Sequence, residues 1–293
     1  MQLLFKINAS LLICFGLGSA AIGWHASTVL QANAKREVIG NARLMMEAAM
    51  TARTYTTKEI KPLLAKLTAH EFMPQSVPSY AATQSFNSLR ATYPDFSYKE
   101  ATLNPTNPRD RVVEWEADLV QQMRDHPERT ELIGERTGTT GAGLYLARPI
   151  RISDGKCLAC HSSPAAAPAT MLALYGNNNG FGWKLNEIIG SQIVTVPLEV
   201  ALRQADQTVK SIVIGTVSIF GATLLVVNLL FYLFVLRPIK HISRVAAAVS
   251  EGQSGVAHFQ VKGKDEIATL SVAFNRMRRS LEKAMSLLTQ GQP

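Results

Sequence analysis

IVIGTVSIFGATLLVVNLLFYLFVL, Ile212 to Leu236, is a run of 25 residues without a charged side chain, and its reading divides the chain. A helix needs about 20 such residues to cross a hydrocarbon layer of about 30 Å. The run therefore predicts a transmembrane helix over 212–236. On its C-terminal side Arg237, Lys240 and Arg244 follow at once, and the tail from Arg237 to Pro293 carries 9 Lys/Arg against 4 Asp/Glu. That bias is the mark of a cytoplasmic flank. On the other side the segment from Gln31 to Lys210 is nearly balanced, with 20 Lys/Arg against 18 Asp/Glu, and is expected to be exported. Most of the net charge of +8 thus belongs to the tail. No base-reading motif accompanies it, so nucleic-acid binding is not expected.

A second apolar run, Ile7 to Leu30, is also long enough to span. Ala32-Asn33-Ala34 after it resembles a signal-peptidase site. The run is longer than the ~7–15-residue core of a signal peptide, so it is read as a retained anchor with residues 1–6 in the cytoplasm. The chain is then two spans, 7–30 and 212–236, around an exported domain of residues 31–210. With 47% hydrophobic residues and a mean hydropathy of +0.06 over 293 residues, one domain plus two spans fits better than a multi-span transporter.

The exported part opens with a helical pattern from Ala34 to Leu67, with Val38, Leu44, Met45, Ala48, Ala49 and Ala52 at helical spacing and Pro62 expected to end or kink it. A short helical piece, Tyr80 to Tyr93, and a strand, Phe96 to Leu103, follow. Asn104-Pro105-Thr106-Asn107-Pro108 reads as a turn capping a helix from Arg109 to Asp125. Three further strands are expected at Glu131–Thr137, Gly143–Ile150 and Trp183–Pro197. The order implies an α+β, PAS-like domain, an antiparallel sheet with helices on one face and a long N-terminal helix.

Within it, Cys157-Leu158-Ala159-Cys160-His161 carries the chemistry. Two thiols separated by two residues can form thioethers to the vinyl groups of one haem, and the adjacent histidine then coordinates the iron. The pattern predicts one covalent haem c per chain, with His161 as the proximal ligand. A disulfide or half of a zinc site is the competing reading, but no second cysteine pair exists for zinc, and a disulfide leaves His161 unexplained. Met45, Met46 and Met50 on the long helix are candidate distal ligands, with His70 and His126 as candidate nitrogen donors; Met46 and Met50, four apart, share a helix face and are preferred, and Arg53, one turn on, is a candidate partner for a propionate or bound ligand. An open sixth position would take a small diatomic ligand. No cluster of catalytic acid, base and nucleophile stands out, so enzymatic turnover is not expected.

Past the second span, Ile239, Ile242, Ala246 and Val249 form one apolar seam. After a connector from Glu251 to Lys264, Ile267, Leu270, Phe274, Met277, Leu281, Ala284 and Leu288 form another, in alternating steps of three and four. Such seams are buried only against partner helices, which predicts an all-α bundle formed by a homodimer. With Pro238 near the membrane and Asp265-Glu266 at the second helix, residues 237–288 resemble a HAMP domain. The resemblance implies a parallel four-helix bundle that switches packing to pass a signal.

The exported part resembles the Tll0287-like family of PAS-like haem c domains, found in bacterial membrane receptors. The residues that carry the likeness are Arg53-Thr54-Tyr55, Pro62-Leu63-Leu64, Val77 to Tyr80, Asn104 to Pro108, Cys157 to His161 and Asn179 to Trp183. The two resemblances imply a receptor subunit of the bacterial inner membrane, its sensor periplasmic and its HAMP domain cytoplasmic. It is expected to detect redox state or a small ligand and to signal to a cytoplasmic partner in trans, since the chain runs only a few residues past the second seam. A membrane-anchored cytochrome for electron transfer and a haem-free small-molecule receptor are the alternatives.

Overall fold

The computed structural model describes residues 2–68, 70–138, 141–251 and 263–290. The chain divides into two compact units, Gly23–Lys210 and a second formed by Met1–Ile22 with Ser211–Pro293.

In the first unit, helix α1 (Gln2–Tyr55, beginning in the other unit) is followed by α2 (Lys61–Thr68) and α3 (Pro78–Arg90). Then come β1 (Ser97–Thr102), α4 (Glu114–Asp125), β2 (Leu132–Gly138) and β3 (Gly141–Arg151). Two short helices, α5 (Leu158–His161) and α6 (Ala169–Tyr175), precede β4 (Ile188–Pro197). The strands form one antiparallel sheet in the order β1-β4-β3-β2. β4 is central, and its Ile-Val-Thr-Val run suits a strand packed on both faces.

Alternation sorts the side chains. Tyr98, Leu144, Leu146, Val194 and Val196 pack with Val38, Ala42, Met46 and Ala49 of α1 and Ala82 and Phe86 of α3. Ala101, Ala147 and Ile193 face the other way, onto Leu119, Val120 and Met123 of α4. Helices therefore cover both faces of the sheet, not one as the element order suggested. The amphipathic stripe of α4 needed a surface of its own to bury against.

Two boundaries differ from the sequence reading for local reasons. The helix expected from Arg109 starts at Glu114. Asn107 accepts the Arg109 N–H in a 3₁₀ turn, Arg111 bridges to Thr102, and the Glu116 carboxylate caps the Val113 N–H at 2.9 Å. β4 begins at Ile188 rather than Trp183, because Gly182 (φ +78) and Asn186 (φ +66) turn the backbone into the left-handed region. The long helix is interrupted beside Pro62, as expected, by a π turn, Thr56–Ile60, that separates α1 from α2. Pro62 lacks an N–H and its ring crowds the carbonyl four residues back, at Lys58, so a widened turn there relieves the clash.

Helix α7 (Glu199–Phe231) begins in the first unit and continues from Ser211 in the second, where it runs to a second π turn, Tyr232–Leu236, again placed just before an Xaa-Pro pair, Arg237-Pro238, where α8 (Arg237–Ser250) begins. Helix α9 spans Glu266–Gln290. Most of the expected connector, residues 252–262, lies outside the described residues. Two helical stretches, Leu4–Thr68 and Glu199–Ser250, are long and apolar enough to cross a membrane. The apolar parts of α1 and α7 meet through stacked Phe15 and Phe220, with ring centroids 4.6 Å apart, and through a reciprocal amide pair between Asn8 and Asn228 at 2.9 and 2.8 Å. Paired amides leave no unsatisfied polar group on the apolar surface, which is how such side chains are tolerated there.

Candidate functional site

Cys157 closes a 3₁₀ turn, Gly155–Cys157, whose start is fixed by Asp154 accepting the Lys156 N–H at 2.8 Å. The chain passes directly into α5, so Cys157 and Cys160 stand one turn apart, with His161 next. Both thiols are free and half-buried.

His161 is held from three sides. Its Nδ1 lies 2.8 Å from the Gly180 carbonyl oxygen and 3.4 Å from Thr106 Oγ1. Its ring stacks on Trp183 with centroids 4.0 Å apart. A carbonyl can only accept, so Nδ1 carries the proton and the neutral ring keeps Nε2 as a free lone-pair donor. Burial lowers the His161 pKa below its ordinary value, with the Gly180 hydrogen bond opposing it in part, which favours that neutral form.

The Gly180 carbonyl is itself fixed. Asn104 Oδ1 accepts the Gly180 N–H at 3.1 Å, and Asn104 Nδ2 donates to the Phe181 carbonyl at 3.1 Å. Gly180 has φ +86, and a Cβ there would lie 2.1 Å from Thr106 Oγ1 and 2.9 Å from Thr106 Cα. Only glycine allows the loop this close to the Asn104–Pro108 turn. Asn104, Thr106, Gly180 and Trp183 were legible as parts of two motifs but not as the supports of His161.

The sequence-selected residues of α1 separate. Met46 is fully buried among Val38, Ala42, Leu146 and Val194. Met50 is half-buried, and its Sδ accepts a hydrogen bond from Gln192 Nε2 at 3.2 Å. Gln192 also donates to the Tyr98 hydroxyl at 3.2 Å, Tyr98 donates to Glu100 at 2.7 Å, and Arg53 Nη1 reaches both Glu100 carboxylate oxygens. Glu100 is 4% exposed. Burial works against the charge of Arg53, but Glu100 outweighs it, with smaller contributions from Tyr98 and Cys157, so the guanidinium is held more firmly protonated than usual. Burial, reinforced by the Glu100 charge, pushes the Tyr98 hydroxyl well above the usual tyrosine range.

Two reduced thiols one turn apart and an adjacent neutral imidazole with a free Nε2 and a fixed Nδ1–H form the donor set that a thioether-linked haem requires. Among the described residues no group of three or more His, Cys, Asp or Glu side chains is placed to hold a metal ion. A cavity of about 60 Å³ lined by Trp115, Arg136, Tyr145 and Thr195 lies on the α4 face of the sheet and includes none of these donors.

No curated protein matches the chain. A solved cyanobacterial structure, the haem protein Tll0287, is similar over 55% of this chain and 95% of its own at 16% identity, with a TM-score of 0.43. The model of the HAMP domain matches residues 230–283. The model of the Tll0287-like family matches residues 31–197, more than half of the chain. The chain belongs to the Tll0287-like family, with a HAMP domain following the family's own domain.

Proposed function

We propose that this chain is a membrane-bound sensor subunit that holds haem c covalently on Cys157 and Cys160, with His161 Nε2 as the proximal ligand. The observation that carries the reading is the hydrogen bond from His161 Nδ1 to the Gly180 carbonyl, which fixes tautomer and ring orientation as histidine ligands to metals require. Such a haem supplies an iron that changes oxidation state or takes a small diatomic ligand. Trp183 and the Asn104-braced loop keep the imidazole from turning away.

Between the two preferred distal candidates the surroundings favour Met50. Met46 cannot leave the α1–sheet core without opening a cavity, whereas Met50 already borders the polar chain Gln192–Tyr98–Glu100–Arg53. Arg53, which closes that polar chain on Glu100, is the residue of α1 suited to compensate a further negative charge, whether a propionate or a bound anion. Gln192 lies on β4, and β4 leads through the buried Leu198 into α7. A change at the haem is thereby felt on the strand that feeds the second span.

Residues 31–210 are assigned to the periplasmic side of a bacterial inner membrane and 237–288 to the cytoplasm, as the charge asymmetry directs. HAMP seams that pair in a homodimer carry the change to a cytoplasmic partner in trans. In one chain Leu270, Met277 and Leu281 remain exposed, as helices that await a partner would leave them.

The test is a peroxidase-based haem stain of the full chain on a denaturing gel, after co-expression with cytochrome c maturation factors. Stain that persists, and is lost in the Cys157→Ser/Cys160→Ser double variant, is the expected result. Full-length protein that never stains overturns the proposal.

A further inference from the structure

The outward side of α1 in the sensor domain carries an uncharged seam. Asn41, Leu44, Ala48, Thr51 and Tyr55 recur at steps of three, four, three and four, and all are exposed, Leu44 at 70% and Tyr55 at 58%. They lie opposite the residues that pack on the sheet, Val38, Ala42, Met46 and Ala49. The exposed charges of this stretch are turned aside: Arg43 pairs with Glu131, just before β2, and Glu47 with Arg148 of β3, each at 2.6 Å. Four turns of a surface helix are thus left without a free charge, at the spacing that buries a stripe against a second, parallel helix.

We propose that this seam packs against the same seam of a second copy, making a parallel α1–α1 contact between the two sensor domains of the dimer. The proposal rests on the HAMP-mediated homodimer of the preceding section, which brings two identical sensor domains together about one two-fold axis. An isologous contact then needs a self-complementary helix face near that axis, and this seam meets itself residue for residue. Ala48, and Gly40 beside the seam, let the backbones approach, and paired Asn41 side chains fix the register as a polar seam residue does. Four turns with two polar members make a weak interface. Tethering through the HAMP bundle raises the effective concentration to about the millimolar range, where a weak interface still forms and is easily shifted. Its location gives it a use: Met50 and Arg53 lie on the same two turns as Ala48, Thr51 and Tyr55, facing inward where the seam faces outward. A displacement of either residue by the haem moves the turns that meet the partner.

Single cysteines test this in the full chain, in native membranes, on a Cys14→Ser background. Leu44→Cys, Ala48→Cys and Tyr55→Cys report the seam, Arg36→Cys and Thr54→Cys report exposed positions about a quarter-turn away, and Leu281→Cys reports the HAMP dimer. Cross-linked dimer several-fold more abundant at Leu44, Ala48 and Tyr55 than at Arg36 and Thr54 is the expected result. Cross-linking at Leu281 with equal or absent yield at all five α1 positions overturns the seam while leaving the HAMP dimer standing. No cross-linking at Leu281 removes the dimer, and the seam with it.

Discussion

The sensor domain and the membrane–HAMP unit dispose of their apolar surface in opposite ways. In Gly23–Lys210 the sheet is sandwiched, with Leu146 and Val194 fully buried on one face and Val120 and Met123 on the other. In the second unit Leu17, Val217, Leu225 and Phe234 lie open along the apolar helices, and Leu270, Met277 and Leu281 lie open on α9. The first unit buries its apolar side chains on its own contacts, whereas the second leaves them open, as the proposed packing in lipid and against another chain requires. A receptor needs this division, because a self-sufficient domain can hold a cofactor rigidly while a partner-dependent bundle stays near enough to balance to switch.

The largest expected effect breaks the rigid side of that contrast. Glu100→Ala leaves the Arg53 guanidinium buried without its carboxylate and the Tyr98 hydroxyl without its acceptor, which should cost about 3–5 kcal/mol. Chemical denaturation followed by the near-UV signal of the sensor domain measures it, and a loss below about 1 kcal/mol would show that solvent reaches the pair.

Next in size, Met46→Ala should cost about 2–5 kcal/mol by opening a cavity in the α1–sheet core, with the haem spectrum unchanged. Met50→Ala should do the reverse, altering the ferrous absorption spectrum with little loss of stability. A spectrum altered by Met46→Ala alone would exchange the roles assigned to the two methionines.

A pH series sharpens the same contrast. Because the Tyr98 pKa is raised in the folded state, the unfolded chain releases that proton first as pH passes about 10. The folded state then binds more protons than the unfolded, so stability falls as pH rises above that point, by up to about 1.4 kcal/mol per pH unit. Denaturation midpoints between pH 8 and 11 should show the slope, and Tyr98→Phe should reduce it.

The smallest effect on folding is expected on the other side. Leu281→Ala removes an exposed side chain and should change the sensor domain's stability by less than about 0.5 kcal/mol, while weakening the dimer seen by cross-linking or sedimentation. Equal damage to both would mean that the two units do not divide the labour as argued.

What could be read from the sequence was whatever a short, regular pattern encodes. The uncharged run 212–236, the Cys157–His161 spacing and the α9 seam need no tertiary knowledge, and the periodicity of β1, β2 and β3 gave their extents to within two residues. The coverage of both sheet faces was hidden, since periodicity shows that α4 has an apolar stripe but not which surface receives it. The late start of α4 was hidden for a different reason: the Asn107 side chain and the Glu116 cap, not helix propensity, set where it begins. Glu100 read as an ordinary strand charge in a stretch that also holds Lys99, and only the fold brings Arg53 and Tyr98 onto it. Around His161 a signal was present but unread. Asn-Gly-Phe-Gly-Trp, residues 179–183, spends two positive-φ glycines beside an aromatic residue, a loop shaped to press its backbone against something.

The central claim is that the state of a haem at His161 reaches the HAMP seam. Its most direct test is the cross-linking rate of Leu281→Cys in membranes, compared with the haem ferric and ferrous, in the parent and in His161→Ala. The account predicts rates that differ between the two oxidation states in the parent and are equal in the variant. Identical rates in both states of a parent chain that carries covalent haem would contradict it.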